Sequence, residues 1–273
     1  MRLLIVGHGF VGKAVDFGFT HPLVEKTIVD PKYGNSIQDI DPSKYDLTFI
    51  SVPTPMSDDG AIDTSILDEV MQHFNANVTF RHQLLVIKST VTPDIIKKYV
   101  TPGVVYNPEF LREKTANEDF INPDFHIFGG NDYDTQLLEG YYNTYSLCKR
   151  CPVLRMTAEE ASFVKYGINS FLATKVTFFN QLYDAVTAAN ANFNVVTKAM
   201  ELDPRLGTSH NRVPGFDGKR GFGGACFPKD VSALTYYTDK MTLLDTVMSI
   251  NNNYRKDYAK DSREVAQNIH YTK

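Results

Sequence analysis

The sequence has few cysteines, no large excess of charge and no long apolar run. Three cysteines in 273 residues are an odd, low number, which argues against a disulfide scaffold and favours a reducing compartment. The formal net charge of −4 gives no reason to expect nucleic acid or an anionic membrane as a partner. No apolar stretch is long enough to span a bilayer, and the first residues resemble a strand entering a turn, not a signal peptide. These absences predict a cytoplasmic globular protein.

Two of the cysteines form a C-x-x-C pair, Cys148 and Cys151. A zinc ion would lack half of its usual ligands there, because the sequence has no second pair and no partnered histidines. A redox pair would need a thioredoxin-like context, which the surrounding sequence does not provide. We therefore interpret both cysteines as incidental and predict no metal site.

The first half of the chain alternates short β-branched runs with helix-like segments. This alternation predicts an α/β fold with a Rossmann-like, doubly wound parallel sheet, whose ligands bind beyond the carboxyl ends of the strands. The first helix is expected at Lys13 to Phe19. The predicted strands are Arg2 to Val6, Lys26 to Asp30, Leu47 to Val52, Leu84 to Ser89, Val104 to Tyr106 and His126 to Phe128.

The second half is predicted to be helical. A stretch without proline from Thr157 to about Asn192 indicates one long connecting helix, and Thr157 with Glu160 has the spacing of a capping box at its start. A short helix is expected over Val195 to Met200, then a loop, with helices returning after Asp230. This pattern divides the chain into an NAD-binding domain, 1–155, and a smaller all-α domain, 156–273.

A glycine motif follows the first predicted strand. The run 7–12, GHGFVG, fits G-x-G-x-x-G between a strand and a helix, the context of a dinucleotide-binding turn. Asp30 ends the second strand, where a carboxylate accepts hydrogen bonds from ribose hydroxyls and repels a 2′-phosphate. NAD is therefore favoured over NADP, although Lys32 lies nearby. The predicted cofactor contacts of this region are Gly7, Gly9, Phe10, Val11, Gly12, Asp30 and Lys32.

A second glycine-rich run, 221–230 (GFGGACFPKD), contains Cys226. A thiolate is a nucleophile, a nearby cation favours its formation, and glycines allow the backbone to approach a ligand. The run is compatible with covalent chemistry on a carbonyl. It is equally compatible with a glycine turn before a helix that carries an unreactive, half-buried cysteine.

Together these motifs resemble the nucleotide-sugar dehydrogenases, the UDP-glucose/GDP-mannose dehydrogenase family. The resemblance extends over essentially the whole chain, in order. Besides the glycine motif, it is carried by Val52-Pro53-Thr54-Pro55 with Asp59-Gly60, Lys88-Ser89-Thr90-Val91, Asn107-Pro108-Glu109-Phe110-Leu111-Arg112-Glu113, Ala158-Glu159 with Lys165 and Asn169, and Gly221 to Asp230.

The resemblance implies an NAD-dependent, four-electron oxidation of a sugar C6 alcohol to a carboxylate. Cys226 would capture the intermediate aldehyde as a thiohemiacetal, which is oxidised to a thioester and then hydrolysed. Lys165 and Asn169, four residues apart on one helix face, would stabilise the oxyanion. The implied candidates for the base and for positioning the water are Glu109, Asp230 and Thr90.

The resemblance also implies further binding residues. On the cofactor side these are Thr54, Thr90, Glu113 and Lys229. On the substrate side they are Glu109, Phe110, Leu111, Lys165, Asn169, Arg205, Phe222 and Gly223, with Arg205 reaching the sugar nucleotide of a neighbouring subunit.

Several alternatives remain open for the substrate and for the extent of the protein. UDP-glucose, oxidised to UDP-glucuronate for polysaccharide precursor synthesis, is the leading substrate. GDP-mannose and a UDP-N-acetylhexosamine are alternatives.

A homodimer through the long helix is expected. The resemblance implies that the family's C-terminal nucleotide-binding domain is largely absent from this sequence, so we expect either a fragment or a naturally short form. Other classes are a non-catalytic NAD-binding or oligomerisation module and a two-domain hydroxyacid dehydrogenase.

Overall fold

A computed structural model describes residues 1–77 and 83–271 and divides the chain into two compact units. The first unit combines Met1–Thr54 with Asp63–Lys165, and the second combines Pro55–Ile62 with Tyr166–Lys273. The division of the sequence into domains 1–155 and 156–273 stays a prediction.

The first unit is built on a seven-stranded sheet in the order β2-β1-β3-β4-β5-β6-β7. The central strands are buried apolar runs, as parallel strands covered on both faces require. The strands are β1 Arg2–Val6, β2 Glu25–Val29, β3 Leu47–Ile50, β4 Leu84–Ile87, β5 Val104–Tyr106, β6 His126–Gly129 and β7 Val153–Met156.

All six predicted strands are present, and the mostly parallel α/β sheet is confirmed. Two features of the sheet were not predicted. Strand β7, Val153–Met156, is a half-exposed edge strand, so it lacks the continuous apolar run that marks a buried strand. Strands β5 and β6 pair antiparallel through Tyr106 and Gly129, an exception within the otherwise parallel sheet.

Five helices accompany the strands in the described part of the first unit. Helix α1 begins at Phe10, three residues before its predicted start, and includes Gly12. A Cβ atom on Gly12 would lie 2.0 Å from the carbonyl oxygen of Gly7, so only glycine fits there. The helices are α1 Phe10–Gly18, α2 Ser65–Asn77, α3 Pro93–Tyr99, α4 Ala116–Ile121 and α5 Asp132–Tyr145.

The predicted long helix is α6, Ala158–Ala188, and it continues from the first unit into the second. Its predicted capping box is confirmed: Thr157 N donates to Glu160 Oε2 at 2.8 Å, and Glu160 N donates to Thr157 Oγ1 at 3.2 Å. The helix ends before the predicted Asn192, because Asn190 takes a left-handed φ of 55°, and the Asn192 side chain then caps the next helix by accepting from Asn194 N and Val195 N.

The second unit contains four more helices in its described residues. The expectation that helices return only after Asp230 was wrong, because α8 already begins at Phe227 with Pro228 in its first turn, where a proline needs no N–H partner. The helices are α7 Phe193–Met200, α8 Phe227–Tyr237, α9 Thr242–Arg255 and α10 Ser262–Ala266.

Candidate active site

The glycine turn between β1 and α1 has the geometry of an anion-binding site. Gly7 has a positive φ of 83°, and its N–H donates to Val29 O at 2.8 Å. Gly9 caps α1 without a side-chain bond, and a Cβ on Gly9 would meet nothing within 4 Å. Phe10 and Val11 follow as the first helical residues. The open turn therefore leaves room for a diphosphate at the start of α1, where N–H groups and the helix dipole favour an anion.

Asp30 lies directly after β2 and is held by the same turn. Its carboxylate accepts from His8 N at 2.7 Å and from Lys32 N at 3.1 Å, and the Lys32 ammonium is 3.3 Å away. Burial opposes ionisation, but the hydrogen bonds from His8 and Lys32 lower the pKa of Asp30. Lys32 is thus paired with Asp30. The negative charge next to the turn fits a dinucleotide with free ribose hydroxyls, because a carboxylate accepts their hydrogen bonds.

Sequence reasoning missed the part played by His8 in supporting this turn. The His8 ring lies 2.8 Å from Tyr33 Oη through Nδ1 and 3.1 Å from Asp16 Oδ2 through Nε2. Lys26 pairs with the same Asp16 carboxylate at 2.5 Å. The position of His8 inside the G-x-G-x-x-G run was the one available signal. These contacts fix the second residue of the turn from both sides.

The residues after β3 and β4 are tied together at the carboxyl ends of the two strands. Thr54 Oγ1 donates to Thr90 O at 2.8 Å, and Ser89 Oγ donates to Val52 O at 2.7 Å. Thr54 and Ser89 are both buried. The predicted cofactor residues Thr54 and Thr90 therefore occupy the edge of the sheet where ligands of open α/β sheets bind.

Glu109 and Lys165 form a buried ion pair in the first unit. Lys165 Nζ donates to Glu109 O at 2.6 Å and lies 3.2 Å from Glu109 Oε1. The other carboxylate oxygen of Glu109 accepts from Leu111 N at 2.7 Å, and Lys165 Nζ lies 5.4 Å from the centre of the Phe110 ring. The structure thus brings Lys165 of the long helix to Glu109 and Phe110, which the sequence placed in a separate motif. Glu113, by contrast, lies in the short 3₁₀ turn Glu113–Thr115 after them.

A buried lysine that sequence reasoning did not single out lies at the end of β4. Lys88 Nζ donates to Asn107 Oδ1 at 3.0 Å and to Asn107 O at 3.2 Å, and Tyr142 Oη donates to the same amide oxygen at 2.8 Å. Burial lowers the pKa of Lys88 to about 8. Its place in the run Lys88-Ser89-Thr90-Val91 was the only signal. The ammonium anchors the strand end to Asn107, which begins the segment that carries Glu109.

In the second unit, Cys226 is the N-cap residue of α8. Asp230 N donates to Cys226 O at 2.8 Å, closing the first turn of that helix. A helix N-terminus favours a thiolate near it, because the free N–H groups of the first turn and the helix dipole stabilise negative charge. The sequence indicated the loop and the cysteine, but it placed the helix too late to show this relation.

Asp230 joins two other predicted residues in the same unit. Its Oδ2 accepts from Asn169 Nδ2 at 2.5 Å, and its Oδ1 lies 2.8 Å from Lys229 Nζ. All three side chains are buried, Asp230 almost completely. A buried carboxylate paired with an ammonium and an amide can orient the amide or accept a proton. Asn169 is thereby oriented by α8, the helix that Cys226 begins.

The remaining predicted substrate residues make other contacts. The Arg205 side chain is 85% exposed and its described partner is Asp203, at 2.5 Å. Phe222 is buried, with its ring edge-on to Phe227. Gly223 packs against Arg255 and Glu264 of its own unit. The substrate roles of Arg205, Phe222 and Gly223 stay predictions.

The C-x-x-C pair consists of two half-buried thiols. Cys148 Sγ donates to Phe120 O at 3.0 Å. Burial raises the pKa of Cys148 to about 11 and also raises that of Cys151, which makes both less nucleophilic at neutral pH. Among residues 1–77 and 83–271, no group of three or more His, Cys, Asp or Glu side chains could hold a metal ion, and no helix is long and apolar enough to cross a membrane.

The sheet and the glycine turn define the first unit as a Rossmann-type dinucleotide-binding fold. Two family models match the chain: UDP-glucose/GDP-mannose dehydrogenase family, NAD binding domain, over residues 21–146, and the central domain of the same family over residues 159–253. The chain belongs to the UDP-glucose/GDP-mannose dehydrogenase family. NAD is therefore the cofactor that the family model assigns to the first unit.

Individual relatives agree with the family model. The UDP-glucose 6-dehydrogenase of Rickettsia felis is 36% identical over 217 residues, 74% of this chain and 44% of that protein. The GDP-mannose 6-dehydrogenase of Pseudomonas aeruginosa is 32% identical over 230 residues, 76% of this chain and 51% of that protein. The structure of a UDP-glucose dehydrogenase from Pyrobaculum islandicum has a TM-score of 0.76 and 28% identity, with 92% of this chain and 68% of that chain covered. The chain thus spans about half the length of the curated relatives that it matches.

Proposed function

We propose that the chain catalyses the NAD-dependent oxidation of a nucleotide sugar at its primary alcohol, to the level of the carboxylate. The observation that carries the proposal is the position of Cys226 at the start of α8, with Asp230 one turn later and bonded to Asn169. An ordinary alcohol dehydrogenase needs no nucleophile, whereas a four-electron oxidation needs one to hold the aldehyde between its two halves.

The residues of the chain divide this work. The glycine turn and Asp30 bind the cofactor, and NAD, when bound, supplies the hydride acceptor. Cys226 adds as a thiolate to the aldehyde carbon, giving a thiohemiacetal. Lys165 and Asn169 stabilise the oxyanion, because an ammonium and an amide held in a buried position need no reorganisation as charge develops.

Hydrolysis of the thioester requires a base and a positioned water. Glu109 is buried against Lys165, and Asp230 is buried against Lys229 and Asn169. The Glu109 carboxylate can accept a proton from the attacking water. The Lys165 ammonium stabilises the negative charge that develops on the thioester oxygen. Asp230 instead holds Asn169 in place. Thr90 contributes to water placement from the edge of the sheet.

UDP-glucose is the first substrate to test, because the relative at 36% identity is a UDP-glucose 6-dehydrogenase. GDP-mannose is the second, because the Pseudomonas aeruginosa relative covers a similar share of the chain. A UDP-N-acetylhexosamine stays a further alternative. Arg205 is proposed to contact the sugar nucleotide of a neighbouring subunit, which its exposure permits.

The test is to count NADH formed per sugar consumed, with UDP-glucose, GDP-mannose and UDP-N-acetylmannosamine in parallel. We expect two NADH per sugar for one of them. One NADH per sugar would indicate an ordinary alcohol dehydrogenase, and none with any sugar would favour a non-catalytic module.

The variant Cys226→Ser tests the covalent step. We expect it to lose steady turnover by at least about a thousandfold, because the hydroxyl is a far weaker nucleophile than the thiolate. The matched control Cys148→Ser removes a half-buried thiol of the first unit and should keep the wild-type rate. Full activity in Cys226→Ser would show that no thioester forms.

A further inference from the structure

Two asparagines hold the beginning of the loop that leads to Cys226, residues 221–226, here called the cysteine loop. Gly221 N donates to Asn180 Oδ1 at 3.0 Å. Asn251 binds Phe222 twice: its Oδ1 accepts from Phe222 N at 2.7 Å, and its Nδ2 donates to Phe222 O at 3.0 Å. Asn251 is almost completely buried. Its amide thus replaces the partner strand that would normally satisfy both backbone groups of Phe222.

The end of the chain holds the next part of the loop. Glu264 Oε1 accepts from Gly224 N at 3.0 Å, from Arg255 Nη2 at 2.8 Å and from Tyr271 Oη at 2.6 Å. Glu264 and Arg255 are both 1% exposed, and Arg255 also pairs with Asp217 at 2.7 Å. Burial alone would raise the pKa of Glu264, but its hydrogen-bond donors lower it to about 2. A charged carboxylate therefore anchors a loop N–H two residues before Cys226.

The glycines of the loop fit these contacts. A Cβ on Gly223 would lie 1.9 Å from Arg255 Nη2 and 2.6 Å from Glu264 Oε1. Gly221 has a positive φ of 71°, and a Cβ there would lie 2.5 Å from Asn251 Oδ1. The sequence suggested that these glycines allow a ligand to approach the backbone. In the structure, two of them allow the protein's own buried side chains to approach it.

We infer that Glu264, together with Arg255 and Asn251, positions the Cys226 nucleophile by fixing the backbone of the cysteine loop. Glu264 acts through Gly224 and does not touch the sulfur, so it is a positioning residue. It belongs to α10, Ser262–Ala266, so the C-terminal segment of this chain determines the conformation of the loop at the start of α8. This role of Glu264 in catalysis rests on the proposed function, but its effect on the loop does not.

The central test is the variant Glu264→Gln, followed by amide hydrogen exchange in the protein without substrate. The substitution keeps the size of the side chain but removes the charge that pairs with Arg255. We expect peptides covering 221–226 to exchange about tenfold faster, as the loss of one charged hydrogen bond predicts for a local opening. Peptides from the first unit should be unchanged. Unchanged exchange of the loop in a folded Glu264→Gln protein would overturn the inference.

Two further variants separate positioning of the loop from packing of the tail. Asn251→Ser removes the bonds to Phe222 without altering the buried ion pair, and should also speed exchange of the loop. Tyr271→Phe removes one donor to Glu264 but leaves Gly224 and Arg255 bound, and should leave the loop unchanged. If amide exchange of the cysteine loop became faster only in Tyr271→Phe, packing of the segment around Tyr271, and not the Glu264 carboxylate, would hold the loop. Asp239→Asn, at an 81% exposed carboxylate of the same unit, is the matched control.

The chemical readout is the alkylation of Cys226 by iodoacetamide as a function of pH, followed by peptide mass spectrometry. In Glu264→Gln we expect the pH at which half of Cys226 is alkylated to shift from its wild-type value. Alkylation of Cys148, measured in the same samples, reports any global unfolding. If the enzyme turns over, kcat should fall at least about tenfold with the KM for NAD changed by less than about twofold. A wild-type protein without turnover would refute the proposed function and leave the exchange result standing. An unaltered alkylation profile together with an unaltered kcat would refute the positioning role.

Discussion

At the scale of single residues, the chain buries several charges and gives each a different form of compensation. Glu109 and Lys165 neutralise one another, and Asp30 is held by backbone N–H groups as well as by Lys32. In its described contacts, the Lys88 ammonium donates to two neutral acceptors, the side-chain amide oxygen and the backbone carbonyl of Asn107. Because neutral acceptors compensate a buried ammonium incompletely, burial lowers the pKa of Lys88 to about 8.

Lys88 should therefore make stability depend on pH in the alkaline range. The unfolded lysine binds its proton up to pH 10.5, whereas the folded one releases it from about pH 8. Between these values the unfolded state binds more protons, so stability rises with pH, by up to roughly 3 kcal/mol for this group. We expect urea denaturation between pH 8 and 10 to give a more positive slope of the free energy of unfolding against pH in wild type than in Lys88→Met.

The readout is the difference between the two proteins, because Cys148 acts in the opposite direction. Its pKa is raised by burial to about 11, so its contribution to stability falls as pH rises above 9. Lys44→Met, at an exposed lysine of the same unit, is the control and should keep the wild-type slope. Equal slopes of stability against pH in wild type and Lys88→Met would show that Lys88 keeps its proton in the folded state as well as in the unfolded state over this range.

At the scale of elements, helix boundaries decide where the candidate site residues lie. The start of α6 was predicted from a local pattern, because both partners of a capping box are three residues apart. The start of α8 was not, because glycine, cysteine and proline in 221–228 are typical of a loop. Only the observed helix shows that Cys226 is an N-cap residue.

The capping box of α6 can be tested by matched substitutions. Thr157→Ala removes the side-chain acceptor for Glu160 N and should lower the free energy of unfolding by about 1 kcal/mol. Glu160→Gln keeps an acceptor for Thr157 N and should be close to wild type, since glutamine also completes a capping box. Urea denaturation measures both. A Thr157→Ala protein as stable as wild type would mean that the start of α6 is held by packing alone.

At the scale of the whole molecule, α6 presents apolar side chains to solvent. Phe171 is 69% exposed and Phe178 is 54% exposed, and their seven-residue spacing places them on one side of the helix. Large exposed aromatic residues at such a spacing are typical of an interface. This observation supports the proposal of a homodimer through the long helix.

The proposed dimer predicts a change of mass on substitution. The double variant Phe171→Lys/Phe178→Lys should weaken association at least about tenfold, because it places two charges on the face proposed to associate. Sedimentation velocity over a range of concentrations measures this. Leu243→Lys, at a 61% exposed position of α9, is the control and should leave the mass distribution unchanged. A wild-type chain that stays monomeric at high micromolar concentration would contradict the proposal.

The sequence by itself determined what depends on neighbours along the chain. It predicted six of the seven strands as apolar runs, the glycine turn with Asp30 at the end of the next strand, the capping box at Thr157, and the family to which the chain belongs. Each of these signals lies within a few residues or in the order of short motifs. Local sterics, hydrogen bonding and periodicity therefore suffice to read them.

Only the tertiary structure decided which distant residues meet. The contact of Lys88 with Asn107 and that of Gly224 with Glu264 join residues far apart in sequence, and no local pattern specifies either. The antiparallel pairing of β5 with β6 belongs to the same class. Such contacts follow from how the elements pack, because a buried polar group must find its partner wherever packing brings one. For this reason the sequence indicated Cys226, and the structure indicated what holds its loop.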